Sequence, residues 1–294
     1  EEKAGGVIRY VIPGFRIGDA AIDKDISFIQ KMGVEIRTNT EITSVADLKA
    51  QGYDAVILAI GAGKPGTLKL EKGETVNALK FLRDFKANDG KLNIGKNVVV
   101  IGGGNTAMDT ARAAKRTEGV EHVYLVYRRT KRYMPAAEDE LLEVLLCKKM
   151  KLGQMDASGR AGVTETADVV EVPADTVIVA VGEKIDTDFY TANQIAVDER
   201  GKAKVNDKTL ETSVSGVYVA GDGARGAATI VEGIRDAQLA VKDILGKEIT
   251  RDAAVTGDVK DCFEKKGILK HSKEAKTEEE RCLTCNKVCE NCVD

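Results

Sequence analysis

The stretch VVVIGGGNTAMDTARAAKR, residues 98–116, decides the fold. Asn97 to Ile101 is an apolar run of the length expected for a strand buried on both faces. It enters three glycines, and a helix-forming segment follows to about Arg116. His122 to Tyr127 then reads as a second strand, which completes a βαβ unit over residues 97–129. Within the turn, Gly102, Gly104 and Ala107 form G-x-G-x-x-A, with Gly103 between the glycines. The first glycine permits a tight turn, the second lets backbone approach a pyrophosphate, and the alanine keeps helix and strand close. The helix opens on Asn105 and Thr106, where unpaired N–H groups and the positive dipole end favour a phosphate. A tight turn holding no ligand is the alternative. The strand predicted on each side of the helix argues against it.

The end of the second strand discriminates between nicotinamide cofactors. An NAD site places Asp or Glu there, on the ribose 2′-hydroxyl. Here Tyr127 is followed by Arg128 and Arg129, with Lys131 and Arg132 beyond and no acid among them. Guanidinium forks match a 2′-phosphate. The reading therefore favours NADPH, held by Arg128 and Arg129 first and by Arg132 next. A solvated basic surface is the alternative.

Outward from this unit, strands and helices alternate, which predicts an α/β fold with parallel sheets. Residues 1–18 read as a loop. A helix follows with Ile22, Ile26, Ile29 and Met32 on one face, ended by Gly33, and Val34 to Arg37 alternates as a strand. Asp54 to Ile60 reads as a buried strand closed by Gly61, and Asp175 to Val181 as another closed by Gly182. Residues 76–86, 136–146 and 227–245 read as helices, and Val217 to Ala220 as a strand leading into Gly221-Asp222-Gly223. The segments DAVILAIG and DTVIVAVG echo each other. They are either two ordinary buried strands or two crossover points bracketing an inserted domain.

Composition bounds the rest. A chain of 294 residues has room for two domains, and its 43% hydrophobic and 31% charged residues fit a globular protein. A net charge of −3 provides no basic face for nucleic acid. No apolar run approaches the roughly 18 residues of a membrane span. Glu1-Glu2-Lys3 does not open a signal peptide, so the reading expects a reducing, cytoplasmic setting in which the six cysteines are not paired as disulfides. Asp222, at a strand end, can accept a hydrogen bond from a ribityl hydroxyl, although an Asx turn would also explain it.

Six segments taken together resemble the glutamate synthase small-subunit family, within the pyridine nucleotide-disulfide oxidoreductase-like proteins. They are AGGVIRYVIPGFRI (4–17), DAVILAIGAGKP (54–65), VVVIGGGNTAMDTAR (98–112), VYLVYRRTKRYMPA (123–136), DTVIVAVGEK (175–184) and SGVYVAGDGARGAATIVEGI (215–234). Within the family the chain is most similar to proposed selenate reductase subunits that carry Fe–S motifs. The resemblance implies two nested Rossmann-like domains. A partial FAD domain (1–65 plus 183–250) is split by an inserted NADPH domain (66–182), and a Cys-rich segment follows (251–294). It also implies hydride transfer from NADPH to FAD, with electrons passed through Fe–S clusters to a partner subunit or domain. Gly102, Gly104, Asn105, Thr106, Ala107, Arg128 and Arg129 map to NADPH. Gly182 and Glu183 map to the second crossover near the nicotinamide. Gly221, Asp222 and Thr229 map to FAD, as do Gly6 and Arg9 of the GG-x-x-R loop. Gly61 is counted with the cofactor-binding set. No side chain is assigned as acid or base, because the flavin carries the chemistry and the protein orients it.

The chain departs from the family pattern twice. The first strand, glycine turn and helix of the FAD domain would precede Glu1, so this chain is expected to be a fragment that binds FAD weakly or not at all. The helix ending near Leu146 runs directly into Cys147, which leaves no room for the strand the family places there. A segment is therefore expected to be missing near 146.

Cys282, Cys285, Cys289 and Cys292 read C-x2-C-x3-C-x2-C. Zinc ribbons separate their C-x2-C pairs by roughly 12–20 residues. The dense spacing is nearer to [4Fe–4S] runs. Zinc and free thiols are the alternatives, and part of the ligand set would lie beyond Asp294. Cys147 and Cys262 read as packing residues, and His122 and His271 as structural or solvent-facing. Two other functions were weighed. A non-catalytic docking subunit would not need the glycine turn and arginine pair. A thioredoxin-reductase-like enzyme needs C-x-x-C in the nicotinamide domain, and the only C-x-x-C pairs lie in the tail.

Overall fold

A computed structural model describes residues 1–127, 148–155, 161–169 and 172–246, apart from 67, 69, 71 and 72; for 148–155 and 161–169 it describes the backbone alone. The chain opens with helices α1 (Gly6–Tyr10) and α2 (Asp19–Lys31), followed by α3 (Val45–Ala50). The Ser44 hydroxyl caps α3 by accepting from the Asp47 amide at 3.1 Å. Strands β1 (Val56–Leu58) and β2 (Lys64–Pro65) come next. β3 (Val76–Asn77) runs directly into α4 (Ala78–Ala87), and the Asn77 side chain is the N-cap, accepting from the Lys80 amide at 3.1 Å. The βαβ unit is β4 (Asn97–Ile101), α5 (Asn105–Arg116) and β5 (His122–Val126). β6 (Lys148–Met155) and β7 (Ala161–Val169) pair antiparallel. β8 (Thr176–Val179), β9 (Glu183–Lys184), α6 (Thr187–Ala192), β10 (Val217–Val219), α7 (Asp222–Arg225) and α8 (Ile230–Leu245) complete the described chain.

β3, β8, β4 and β5 form a parallel sheet in that order. Val98 and Val100 of β4 are fully buried, as expected for a strand with neighbours on both edges and side chains covered on both faces. α5 packs on the sheet through Ala107, Met108, Ala111 and Ala114, a stripe at i, i+1, i+4 and i+7. Its alanines let the helix approach closely, and Phe81 and Leu82 of α4 extend the same cluster. A second cluster gathers Val56 and Leu58 of β1, Val217 and Val219 of β10, and Val45, Tyr190 and Ile195. β1 and β10 are parallel, with Ile57 opposite Tyr218. Among the described residues β1 pairs with no strand besides β10.

Between the two clusters, β2 and β9 pair antiparallel, Pro65 opposite Glu183. The Gly66 amide donates to the Gly182 carbonyl at 2.8 Å, and a Cβ on Gly66 would lie 2.4 Å from that oxygen. The two linkers therefore cross in backbone contact.

Several sequence expectations are corrected. The run 1–18 contains α1, and Val11 and Tyr10 pack with the nicotinamide-side cluster. Arg16 Nε pairs with Asp109 of α5 at 2.7 Å, and Lys86 of α4 with Asp19 of α2 at 3.1 Å. Val34 to Arg37 forms no strand: its alternation is present, but no described segment pairs with it. On α2 only Ile22 is buried, while Phe28 and Met32 are 64% and 70% exposed. The two residues of β3 were read as helix. The helix expected at 136–146 and the missing segment near 146 fall outside the described residues, as do all four tail cysteines, Cys147, Cys262 and His271. His122 is exposed, its ring stacked 6.2 Å from that of Tyr124.

Candidate functional site

The glycine turn between β4 and α5 divides its work unevenly. Gly102 has φ +155°, and a Cβ there would lie 2.3 Å from the Ala180 carbonyl and 3.1 Å from Ala107 Cβ. Its amide donates to the Val126 carbonyl at 2.9 Å, tying the turn to β5. A Cβ on Gly103 would sit 2.5 Å from the Tyr127 ring. Gly104 differs from both: its φ is −94° and ψ 176°, and a Cβ there would meet nothing within 4 Å. The N-cap position of α5 thus faces open space, no side chain caps the helix, and no acid lies in its first turn. That arrangement suits an anion. Tyr127 against Gly103 brings the chain to the turn just before Arg128. Arg128, Arg129 and Arg132 themselves lie outside the described residues.

On the far side of the turn stands Glu183 of β9. The Thr106 hydroxyl donates to its Oε1 at 3.2 Å. Burial holds the Glu183 carboxyl above its usual range; the Thr106 hydrogen bond opposes this, and the charge of nearby Asp222 adds to it. Asp222 opens α7. Burial raises its carboxyl too, opposed by the Ala228 amide, which donates to Oδ1 at 3.1 Å. Thr106 of α5 and Glu183 of β9, remote in sequence, are therefore joined by a hydrogen bond.

The remaining sequence candidates have mixed placements. Thr229 caps α8 in a reciprocal box: its amide donates to Glu232 Oε2 at 2.8 Å and its hydroxyl accepts from the Glu232 amide at 3.4 Å. Gly61 ends the crossover from β1 with φ +70°. Gly6 begins α1, with open space where a Cβ would be. Arg9 is buried, with Nε on the Ala4 carbonyl at 2.6 Å and Nη2 on Asp23 at 2.5 Å, while its buried Nη1 has no hydrogen-bond partner among the described residues. Sequence reasoning missed two residues of this region, Arg225 and the buried Asp236. An acid on the face of α8 that also carries buried Ala240 was the available signal.

Residues 21–243 match the family model described as pyridine nucleotide-disulphide oxidoreductase. The chain belongs to that family. Among pyridine nucleotide-disulphide oxidoreductase relatives, the oxidoreductase YgfK of Escherichia coli K12 is 35% identical over 333 residues, covering all of this chain and 32% of that protein. The present chain thus spans about a third of that relative's length. The aligned stretch exceeds this chain's 294 residues, so the relative carries internal residues with no counterpart here. A glutamate synthase (NADPH) small chain of Cereibacter sphaeroides is 33% identical over 83% of this chain and 68% of its own. The chain accordingly belongs to the same family as this small chain. FprA of Mycobacterium tuberculosis, solved in complex with NADPH, matches with a TM-score of 0.64 at 17% identity, covering 82% of this chain and 74% of that one. That match shows a shared fold. No described helix is long and apolar enough to cross a membrane.

Proposed function

We propose that this chain is the NADPH-handling module of a flavin oxidoreductase that passes electrons to a partner subunit or domain. The observation that carries the reading is the uncapped α5 turn, open at Gly104, with Thr106 of its first turn hydrogen-bonded to Glu183. Residues present fit both nucleotides. Gly104 leaves room for a pyrophosphate against the α5 N-terminus, while Gly102 and Gly103 are filled by the protein itself. Asp222 has one carboxylate oxygen engaged by Ala228, and among the described residues the other accepts nothing, so it suits a flavin ribityl hydroxyl. Bound together, the two cofactors supply hydride transfer from nicotinamide to flavin. The chain's part is to hold them. Asn105 and Thr106 open the helix under the phosphates, Arg128 and Arg129, with Arg132, answer the 2′-phosphate, and Glu183 with Gly182 flanks the nicotinamide.

The two clusters support a domain division, although Tyr10 and Val11 of the first segment pack with the cluster around β4 and α5. An NADPH domain at 66–182 is inserted through the β2–β9 crossover into an FAD domain made of 1–65 and 183–250. The open edge of β1, with Ile57 36% exposed, and the exposed apolar face of α2 support completion of the FAD half by a further strand and helix. Binding of [4Fe–4S] by Cys282, Cys285, Cys289 and Cys292 rests on their spacing alone. The names of relatives, among them a β subunit of an NADP(+)-dependent formate dehydrogenase of Moorella thermoacetica, support a partner subunit.

Calorimetry with NADPH and NADH on the full-length protein, together with anaerobic visible spectra, tests the reading. We expect NADPH to bind more tightly than NADH, and Arg128→Ala with Arg129→Ala to remove the preference. A flavin band should bleach on adding NADPH. The 294-residue chain alone should keep NADPH and hold FAD poorly. Failure of the full-length protein to bind NADPH overturns the reading.

A further inference from the structure

We propose that Asp236 is a positioning residue for the flavin-binding turn, holding the Asp222 carboxylate in place through the Gly221 amide and the Arg225 guanidinium. The proposal rests on the flavin reading above. Asp236 lies in the second turn of α8 and is fully buried. A buried carboxylate is costly unless its oxygens are paired. Here Oδ2 accepts from the Gly221 amide at 3.0 Å and from Arg225 Nε at 2.9 Å, and Oδ1 accepts from Arg225 Nη2.

All three hydrogen bonds go to the segment that carries Asp222. Gly221 precedes it directly, and Arg225 is the last residue of α7. Gly221 has φ +69° and ψ −147°, a conformation open to glycine, and a Cβ there would lie 3.8 Å from Gly233 Cα. The turn therefore rests directly on the backbone of α8. The Arg225 carbonyl is held in addition by Lys202 Nζ, and Arg225 Nη1 stands 3.6 Å from Glu232, which also closes the Thr229 capping box. The segment around Asp222 is thus held on both sides, with Asp222 Oδ1 on the Ala228 amide. An apolar residue at 236 would fill the same space in α8 but could not hold the turn. The charge at 236 is explained by what it holds.

The test uses the full-length protein with its cofactors. It compares wild type, Asp236→Asn, Arg225→Lys and, as a control on β10, Tyr218→Phe, which removes the 2.8 Å hydrogen bond to Asp243 of α8. Asp236→Asn is expected to weaken FAD binding by about ten- to a hundredfold, the range a charge-assisted hydrogen bond supports, and to leave NADPH affinity within about twofold. Arg225→Lys should fall between, because lysine keeps the charge and loses the fork. Tyr218→Phe should lower Tm and leave both affinities alone. FAD affinity of Asp236→Asn within about twofold of wild type overturns the proposal. So does parallel loss of FAD and NADPH binding that tracks Tm, since that is what a purely structural role produces. If Asp236→Asn does not fold, Arg225→Lys decides by the same measures. A wild-type protein that takes up no FAD overturns the flavin reading and this proposal together, whereas a flavin-loaded wild type matched by both variants overturns this proposal alone.

Discussion

Replacing Gly102 and Gly104 separately by alanine should separate folding from binding within a single turn. At Gly102 the new methyl would lie 2.3 Å from the Ala180 carbonyl, a backbone atom held in its strand by the Ala180 amide, which donates to the Ile101 carbonyl at 2.8 Å. Overpacking of this kind costs about 1–3 kcal/mol. Holding a side chain at φ +155° costs a further ~1–3 kcal/mol. A central value of about 4 kcal/mol is a large part of the roughly 5–15 kcal/mol that stabilises a typical domain. It corresponds to a fall in Tm of roughly 8–16 °C. At Gly104 the methyl meets nothing within 4 Å and φ is −94°, so Tm should stay within about 2 °C of wild type. The methyl would instead occupy the space before α5, and NADPH affinity should fall by about ten- to a hundredfold. Differential scanning fluorimetry and calorimetry on purified protein measure both quantities. Full NADPH affinity in Gly104→Ala would refute the placement of the pyrophosphate, and a Tm loss equal to that of Gly102→Ala would refute the open-space argument.

Three further outcomes follow from the described contacts. Burial raises the Glu183 carboxyl, so the folded state holds its proton more tightly than the unfolded state does. The associated stability is present below the usual carboxylate range and is lost as pH rises through the folded pKa. Glu183→Gln should therefore raise Tm at pH 7 and flatten the Tm-versus-pH curve; an unchanged curve would show that burial is not what shifts this group. Asp175 behaves oppositely. The Asn97 and Lys96 amides, which donate to its Oδ2 at 2.8 and 2.9 Å, hold its carboxyl below the ordinary value. Its stabilising contribution is present above the unfolded pKa and is lost as pH falls through the folded one, so Asp175→Asn should lower Tm at pH 7 by a margin that closes toward pH 3. Phe81→Ala, at a side chain only 2% exposed in the nicotinamide-side core, should cost about 3–5 kcal/mol in denaturant melts while the ratio of NADPH to NADH affinity holds.

The parts legible in the sequence were those written in neighbouring residues. β4, its glycines and α5 could be read because an apolar run, a forced turn and an alanine stripe follow one another without a break. β8 and β10 were legible as short apolar runs ended by glycine. What failed was information held between segments. Val34 to Arg37 alternates as a strand should, but a strand exists by its partner, and none is described beside it. β3 was hidden because Asn77 is at once its last residue and the cap of α4. The packing of Gly103 was equally unreadable, since the Tyr127 ring that leaves no room for a Cβ there comes from the end of another strand. Asp236 was invisible because its justification lies in a turn fifteen residues earlier.

The crossing of β2 and β9 has a further consequence. Because Gly66 and Gly182 meet through a backbone hydrogen bond, everything between them is a closed loop whose ends are already joined. The entropy of closing a loop grows only with the logarithm of its length. Lengthening this one by about a third would cost only ~0.3 kcal/mol. The stretch between Gly66 and Gly182 can therefore gain or lose residues in its interior at little entropic cost while its two points of attachment stay fixed.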